Sequence, residues 1–284
     1  MRVLLYGATG WIGQMLKNLL ADHEVIASIC RLDEYYKIGA ELDVVKPTHV
    51  LLCAGLTGRP NVDWCEDHKE QVVDVNVVGT SVLASECYRR GLHLTYMGTG
   101  CIFEYDNDHP CGDDSRGFTE ADEPNFAKSW YSATKILTEK ILKVYSNVLI
   151  LRIRMPLSDD LAERNFITKI TKYSKVVNVP NSMSILTDLL PIVPQMMINK
   201  DTGIWNFTNP GTISHNQILD LYTKYIDPNF QYTNFSLDEQ AKILKAGRSN
   251  NCLDTTKLTS KYDVPHIQDS IHDLFLRMKR NLLL

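Results

Sequence analysis

The sequence predicts a doubly wound, parallel α/β sheet followed by a smaller lobe. Short apolar runs alternate with segments of helical period through the first half of the chain, a glycine-rich turn separates the first such pair, and beyond about residue 156 the alternation becomes irregular.

Arg2–Tyr6 is a short apolar run of the kind that forms a strand buried on both faces. It leads directly into Gly7-Ala-Thr-Gly10-Trp-Ile-Gly13, after which Met15, Leu16, Leu19 and Leu20 recur at helical spacing, so a helix is expected over 11–21. Further strands are expected at 24–29, 49–54, 93–98 and 147–153, with helices near 34–46, 69–90 and 128–145. The second half predicts a helix near 164–174, a strand near 175–179, a helix near 184–198, a strand near 203–208 and helices near 214–225, 237–245 and 267–281. Residues 1–156 should thus form a nucleotide-binding domain of Rossmann type. Residues 157–284 should form mainly a substrate-binding lobe, with some segments returning to the first domain. The Pro-, Gly- and Asp-rich stretch Asp106–Pro124 reads as a surface loop.

Strand, glycine turn and helix together give the context a dinucleotide needs. Gly7 permits the tight turn, Gly10 lets the backbone approach a pyrophosphate, and Gly13 allows close packing of a helix whose N-terminus faces the phosphates. Candidate cofactor contacts are therefore Gly7, Thr9, Gly10, Trp11, Ile12 and Gly13, joined by Arg31 after the second strand, Cys53, Ala54 and Gly55 at the third, and Met155 after the fifth. An arginine at the second strand's exit accommodates a 2′-phosphate, whereas an acidic group there binds a ribose hydroxyl. Arg31 precedes Asp33 and Glu34, which favours NADPH and leaves NADH as the alternative through Asp33.

Composition excludes several other classes. The chain has 284 residues, 44% hydrophobic and 23% charged, enough for a sizeable core, and a formal net charge of −4 with no basic stripe argues against nucleic acid as a partner. No stretch approaches the roughly 18 apolar residues a spanning helix needs, and the first apolar run is too short for a signal peptide, so a cytoplasmic location without membrane contact is expected. The odd count of 7 cysteines, with no Cys-x-x-Cys pair, suggests neither a disulfide framework nor a zinc site, and the histidines show no ligand spacing. No metal is expected.

Tyr131-Ser-Ala-Thr-Lys135 opens an expected helix, and residues four apart lie on one face. The lysine charge lowers the tyrosine pKa, which suits Tyr131 to protonate a carbonyl oxygen while hydride arrives at carbon; Lys135 can also reach the nicotinamide ribose. Thr99 carries a hydroxyl that can hold the same oxygen. Cys101 lies two residues beyond it and supplies an acid/base group that reduction alone does not require.

With these residues in place, the chain resembles the extended short-chain dehydrogenase/reductases, and more closely the UDP-4-keto-6-deoxyglucose 3,5-epimerase/4-reductase family. The likeness is carried by Gly7–Gly13, Lys46-Pro-Thr-His-Val50, Thr57–Glu66, Asn76-Val-Val-Gly-Thr80, Thr99–Tyr105, Tyr131–Lys135, Arg152–Pro156, Asn165–Ile170, Ile204–Gly211 and Arg248–Asn251, which together cover nearly the whole chain. The resemblance implies that UDP-4-keto-6-deoxy-D-glucose is epimerised at C3 and C5 and reduced at C4 to UDP-L-rhamnose. It implies Cys101 and Lys169 as the acid and base of epimerisation, with their order open, by similarity also to GDP-L-fucose synthases. It makes Arg248 a candidate for the nucleotide diphosphate, and Thr57, Arg59, Asn61 and Asn165 candidates for the sugar. Asn76 reads as structural. In plants this activity often forms the C-terminal part of a protein that begins with a 4,6-dehydratase; here the resemblance implies a separate dehydratase as supplier. A homodimer through helices 69–90 and 128–145 is expected, although helices packing on their own sheet give the same pattern. Two alternatives are a 4-reductase acting on a pre-epimerised sugar and a non-catalytic nucleotide-binding regulatory subunit.

Overall fold

The computed structural model describes residues 1–283, which divide into two compact units. The first comprises Met1–Ile102, Pro124–Arg152 and Leu190–Trp205; the second comprises Phe103–Glu123, Ile153–Leu189 and the described residues from 206 to 283. The division is not a single cut, because the chain crosses between the units several times.

Among the described residues, eight strands form two sheets. They are β1 (Arg2–Tyr6), β2 (Glu24–Ala27), β3 (His49–Leu52), β4 (His93–Thr99), β5 (Val148–Ile153), β6 (Lys175–Val176), β7 (Gly203–Asn206) and β8 (Thr233–Asn234). The first unit is built on the six-stranded sheet β2-β1-β3-β4-β5-β7. The pairs β1–β2, β1–β3 and β3–β4 run parallel, with Val3 opposite both Val25 and His49. The apolar runs of β1, β3 and β4 are buried throughout apart from Arg2, as sequences covered on both faces should be. Leu4, Tyr6, Val50, Leu52, Leu94, Tyr96 and Ile150 share one core with Ile38, Leu42, Leu83 and Cys87. After β1 the chain adds β2 on one side, then crosses to add β3 on the other. The exits of β1 and β3 therefore flank the point where strand order reverses, the place at which open α/β sheets bind ligands.

Several expected elements are shorter or broken. The strand expected at 24–29 ends at Ala27, because Ser28, Ile29 and Cys30 turn to hydrogen bond the Glu41 carboxylate. The helix over 34–46 begins as a tight 3₁₀ turn, Leu32–Lys37, and is regular only over Ile38–Val45. The helix over 69–90 contains a π-helical segment, Asp74–Gly79, between Lys69–Val73 and Thr80–Arg89. Widened turns of this kind displace backbone carbonyls, and here Thr138 Oγ1 donates to Asn76 O at 2.7 Å. The helix over 184–198 is split into Leu186–Leu189 and Ile192–Ile198 around Leu190-Pro191, where proline lacks the N–H a continuous helix needs.

In the second unit, β6 pairs with β8, and Leu157, Ile167, Met183, Ile218, Ile271, Leu274 and Phe275 form the core. The helices Phe166–Ile170, His215–Tyr225 and Ile267–Leu283 supply many of these side chains. Ser214 caps the second of them: its Oγ accepts from Gln217 N while Gln217 Oε1 accepts from Ser214 N. Arg154 is wholly buried, donating to Asn181 Oδ1 at 2.6 Å, Ser249 O at 2.5 Å and Asn251 O at 3.2 Å. These bonds satisfy a cation removed from water and fasten the segment 249–251 to the unit. Among the described residues no helix is long and apolar enough to cross a membrane.

Buried histidines make stability depend on pH. Burial pushes His49 down to about 4, with the neighbouring His93 adding to the effect, and pushes His215 to about 4; His93 is also lowered, chiefly by burial. Unfolded, each returns to about 6.5 and binds a proton that the folded form rejects. Stability should be fully present above about pH 6.5 and fall as pH drops toward 4. Urea midpoints at pH 7.5 and pH 5 test this: the acid midpoint should be lower, and His49→Gln should shrink the difference. A difference unaffected by this substitution would exclude His49 as a source.

Candidate active site

The helix Trp130–Leu142 places Tyr131 and Lys135. It begins abruptly because Ser129 caps it, its Oγ accepting from Ser132 N at 3.0 Å, a bond that satisfies one of the helix's open N–H groups. Ser132 Oγ then donates to Cys101 O at 2.6 Å. On the other strand of this connection, Cys101 N donates to Thr99 Oγ1 at 3.1 Å. The end of β4, the turn carrying Cys101 and the first turn of the helix are thereby joined by successive hydrogen bonds. Tyr131 packs with Cys65 and Val72 in an apolar cluster against which Cys101, Val62, Trp64 and Trp130 rest.

The Arg59–Glu66 stretch has a second task that its sequence does not announce. Glu66 Oε1 accepts from Trp130 N at 2.6 Å, so a carboxylate stands at the positive end of the helix. Trp130 Nε1 donates to Lys69 O at 3.1 Å, and the Lys69 ammonium lies 5.1 Å above the indole ring. Trp64 stacks on His68 with centroids 3.8 Å apart, and Asn61 Oδ1 accepts from Asp63 N at 2.8 Å. Asn76 Oδ1 and Nδ2 each bond the backbone of Leu56 at 2.8 Å, holding the segment after β3 and giving Asn76 a structural role.

Lys135 is only 7% exposed, and its Nζ donates to the hydroxyl of Tyr96 on β4. Burial pulls its pKa down to about 8, with the Glu139 charge opposing the fall. Glu139 is engaged elsewhere: its two oxygens accept from Arg152 Nη2 at 2.6 Å and Nε at 2.9 Å. The Arg152 side chain is 1% exposed and that of Glu139 7%.

At the exit of β1, Gly7 has φ +83°, and a Cβ there would lie 2.6 Å from Ala54 N. A Cβ on Gly13 would lie 2.1 Å from Gly7 O. Only glycine fits either position, and the result is a bare-backbone hollow beside the N-terminus of the helix Trp11–Leu19, where Gly10 is the cap residue and contributes no side-chain cap bond. Thr9, Trp11 and Ile12 stand at this turn, and Cys53, Ala54 and Gly55 follow β3 across the strand-order reversal. Burial pushes the Cys53 thiol up to about 12, leaving it an uncharged wall. The hollow and helix terminus fit the pyrophosphate of a dinucleotide.

At the exit of β2 the two rival specificity groups meet. Arg31 Nε and Nη2 lie 3.0 and 3.1 Å from the two oxygens of Asp33, and both side chains are exposed. Beneath them is a residue that sequence reasoning missed. Burial pushes Glu41 up, but bonds from Tyr6, Ser28 and the N–H groups of Ile29 and Cys30 outweigh it and hold the carboxyl below its ordinary value. Glu41 shapes the loop that carries Arg31, and no motif marks it.

Four of the remaining candidates, Asn165, Lys169, Arg248 and Met155, lie in the second unit. Asn165 is wholly buried and caps Phe166–Ile170: its Oδ1 accepts from Ile167 N at 3.1 Å, and its Nδ2 donates to Ser158 O and Asp160 O at 2.7 Å. The structure gives this sugar candidate a capping role that fixes the short helix of Lys169. Lys169 is lowered from its ordinary value by burial and then by the Arg164 charge. Arg248 Nη1 donates to Ala246 O at 2.8 Å, directly before the segment held by Arg154. Met155 adopts φ +39°, a left-handed conformation uncommon outside glycine, and packs against the core of this unit. Thr57 and Arg59 lie in the first unit, in the connection between β3 and the helix Trp64–Asp67.

A family model described as the RmlD substrate binding domain matches residues 1–216. The chain is 52% identical over 272 residues to the bifunctional dTDP-4-dehydrorhamnose 3,5-epimerase/dTDP-4-dehydrorhamnose reductase of Arabidopsis thaliana, covering 94% of this chain and 90% of that protein. It is 51% identical to a trifunctional UDP-glucose 4,6-dehydratase/UDP-4-keto-6-deoxy-D-glucose 3,5-epimerase/UDP-4-keto-L-rhamnose-reductase of the same plant, covering 92% of this chain but spanning only 40% of that longer protein. Among solved structures, the UDP-rhamnose synthase of Acanthamoeba polyphaga mimivirus superposes with a TM-score of 0.91 at 41% identity, covering 97% of this chain and 98% of the other. A dTDP-4-dehydrorhamnose reductase from Bacillus anthracis, solved with NADP, superposes at 0.81 with 18% identity, covering 97% and 98%, and shares the fold.

Removing half of the buried ion pair beneath the site should be costly. Glu139→Gln leaves the Arg152 guanidinium buried without its counter-charge and should lower stability by about 3–5 kcal/mol. Urea denaturation measures this directly, and Glu139→Gln combined with Arg152→Met should lose less than the two single losses summed. A loss below 1 kcal/mol for Glu139→Gln would mean that the pair does not carry the load assigned to it.

Proposed function

The chain belongs to the RmlD substrate binding domain family, and we propose that it is the enzyme that completes UDP-L-rhamnose synthesis, epimerising UDP-4-keto-6-deoxy-D-glucose at C3 and C5 and reducing it at C4 with NADPH. The observation that carries this reading is that Ser132, the neighbour of Tyr131, donates to the Cys101 carbonyl while Cys101 rests against the apolar cluster of Tyr131, which supports a thiol and a phenol serving one substrate. The epimerase/reductase names of relatives at about half identity support the same reading.

The hydrogens on C3 and C5 of a 4-keto sugar are both alpha to the carbonyl. Removal of either proton gives an enolate that is neutralised by a proton delivered to the opposite face, so each inversion takes one proton off carbon and puts one back. Cys101 and Lys169 are the pair assigned to this exchange; burial and the Arg164 charge lower the Lys169 pKa from its ordinary value, which makes its proton easier to give up. Thr99 holds the C4 oxygen by its hydroxyl. Tyr131 then donates its phenolic proton to that oxygen, and the Lys135 ammonium stabilises the phenolate left behind. NADPH, bound at the Gly7–Gly13 turn, supplies the hydride that C4 receives. Residues for the 2′-phosphate and the diphosphate are Arg31 and Arg248, whose guanidinium groups suit bidentate contact with phosphate. A 4,6-dehydratase must supply the keto sugar, and in this reading the protein works in the cytoplasm as a homodimer.

The test is NADPH oxidation with UDP-4-keto-6-deoxyglucose in deuterated water, followed by NMR of the product. UDP-rhamnose labelled at C3 and C5 is expected. Tyr131→Phe should lose reduction by roughly 10²–10⁴-fold while still exchanging C3 or C5 hydrogen, and Cys101→Ala should lose the exchange. Deuterium uptake equal in Cys101→Ala and the parent protein would overturn the epimerase assignment.

A further inference from the structure

We propose that Tyr96 is a positioning residue for Lys135: its buried hydroxyl holds the lysine ammonium and keeps it charged opposite Tyr131. This assignment rests on the reductase reading for its consequence in turnover, but its physical content concerns the protein alone.

The geometry is specific. Tyr96 lies on β4 with 2% of its surface exposed, and Lys135 faces it from the helix Trp130–Leu142 at 7%. Lys135 Nζ donates to the Tyr96 hydroxyl and lies 4.6 Å from the centroid of the Tyr96 ring, against 6.0 Å from that of Tyr131. The same phenol thus offers the ammonium an oxygen lone pair and the negative face of its ring. An ammonium carried away from water needs such partners, since leaving it unpaired favours the neutral amine. The other charged groups around it are differently committed. Glu139, one turn further along the same helix, is held by both oxygens to Arg152 of β5. Tyr131, one turn before it, is the phenol the ammonium is meant to influence and cannot also be its permanent anchor.

Tyr96 is itself fixed as a neutral group. Burial, with the Tyr131 and Glu139 charges in support, keeps its hydroxyl well above the ordinary tyrosine range. It therefore does not exchange its proton during turnover, and its service to Lys135 is constant across the working pH range.

Tyr96→Phe removes one oxygen and keeps the ring. Lysine titration followed by NMR of 13C-labelled lysine, with the Lys135 signal assigned by its loss in Lys135→Met, reads the effect without any substrate. In the parent the group should titrate near 8; in Tyr96→Phe its midpoint should fall by about one pH unit, the size expected on losing a hydrogen bond to a charged group. In turnover, the alkaline limb of kcat for NADPH oxidation should move to lower pH by the same amount, with little change in KM for the sugar nucleotide. Thermal melts supply a second reading: Tyr96→Phe should lower Tm in the parent and much less in the Lys135→Met background. An unchanged Lys135 titration, or an equal loss of Tm in both backgrounds, would overturn the role given to Tyr96. If the parent turned over no UDP-4-keto sugar, the proposed reaction would fall while the titration still decided the role of Tyr96.

Discussion

The centre of the first unit is arranged around one ammonium held where little water reaches it. Lys135 can lower the pKa of a neighbouring phenol only while protonated, yet burial drives it toward the neutral amine at about 8. The surrounding structure opposes that drift in layers. Tyr96 supplies an acceptor, Glu139 supplies negative potential, and Arg152 prevents Glu139 from collapsing onto the lysine as a fixed ion pair. A direct Lys135–Glu139 bridge would hold the lysine more strongly but would direct its charge away from Tyr131. The arrangement sacrifices interaction strength for direction, and the buried Glu139–Arg152 pair is the feature that permits it.

A comparable division of labour appears at the start of the helix Trp130–Leu142. Its N-terminus carries open N–H groups and a partial positive charge. Ser129 satisfies one group from within the chain's local run, while Glu66 satisfies another from a distant loop. The start of the helix is thereby fixed twice, and Tyr131, one residue beyond Trp130, inherits that precision. Ser132 carries it onward to the carbonyl of Cys101. The Arg59–Glu66 stretch is thus bonded to the backbone of Trp130, and Ser132 of the same helix to the Cys101 carbonyl, which gives this stretch a structural task of its own.

Legibility in the sequence follows the range of the interaction. The glycine turn was readable because it stands between an apolar run and a helical pattern and because a Cβ on Gly13 would strike Gly7, six residues away, and Tyr131 and Lys135 were readable because four residues are about one turn of helix. The main strands were likewise marked by buried apolar runs. Tyr96, Glu41, Glu66 and Arg154 were not readable: each acts on a partner remote in sequence, and as isolated letters they are a strand aromatic and ordinary charged residues. Asn165 shows a motif residue with a structural task the sequence does not announce. Its motif was visible, but its amide is consumed in capping the helix that carries Lys169, a role decided by burial and backbone geometry. The broken helix at 184–198 held its own signal in Pro191, which an apolar count overrides and a hydrogen-bond count does not.

The second unit solves an analogous problem with a different cation. Arg154 is buried more completely than Lys135, but a guanidinium remains charged at any accessible pH, so its burial carries no titration risk. It can therefore be used as a rigid multi-point fastener, gripping Ser249 and Asn251 and fixing the backbone just past Arg248. A lysine in that position would offer fewer directed donors, and burial would pull its pKa down, as it does that of Lys135. A lysine suits Lys135 for the complementary reason: its compact ammonium serves one phenol by hydrogen bonding and another by field, a task that a planar fork locked to fixed acceptors performs poorly. The two buried cations are thus assigned by chemistry, with arginine where geometry must hold and lysine where charge must act.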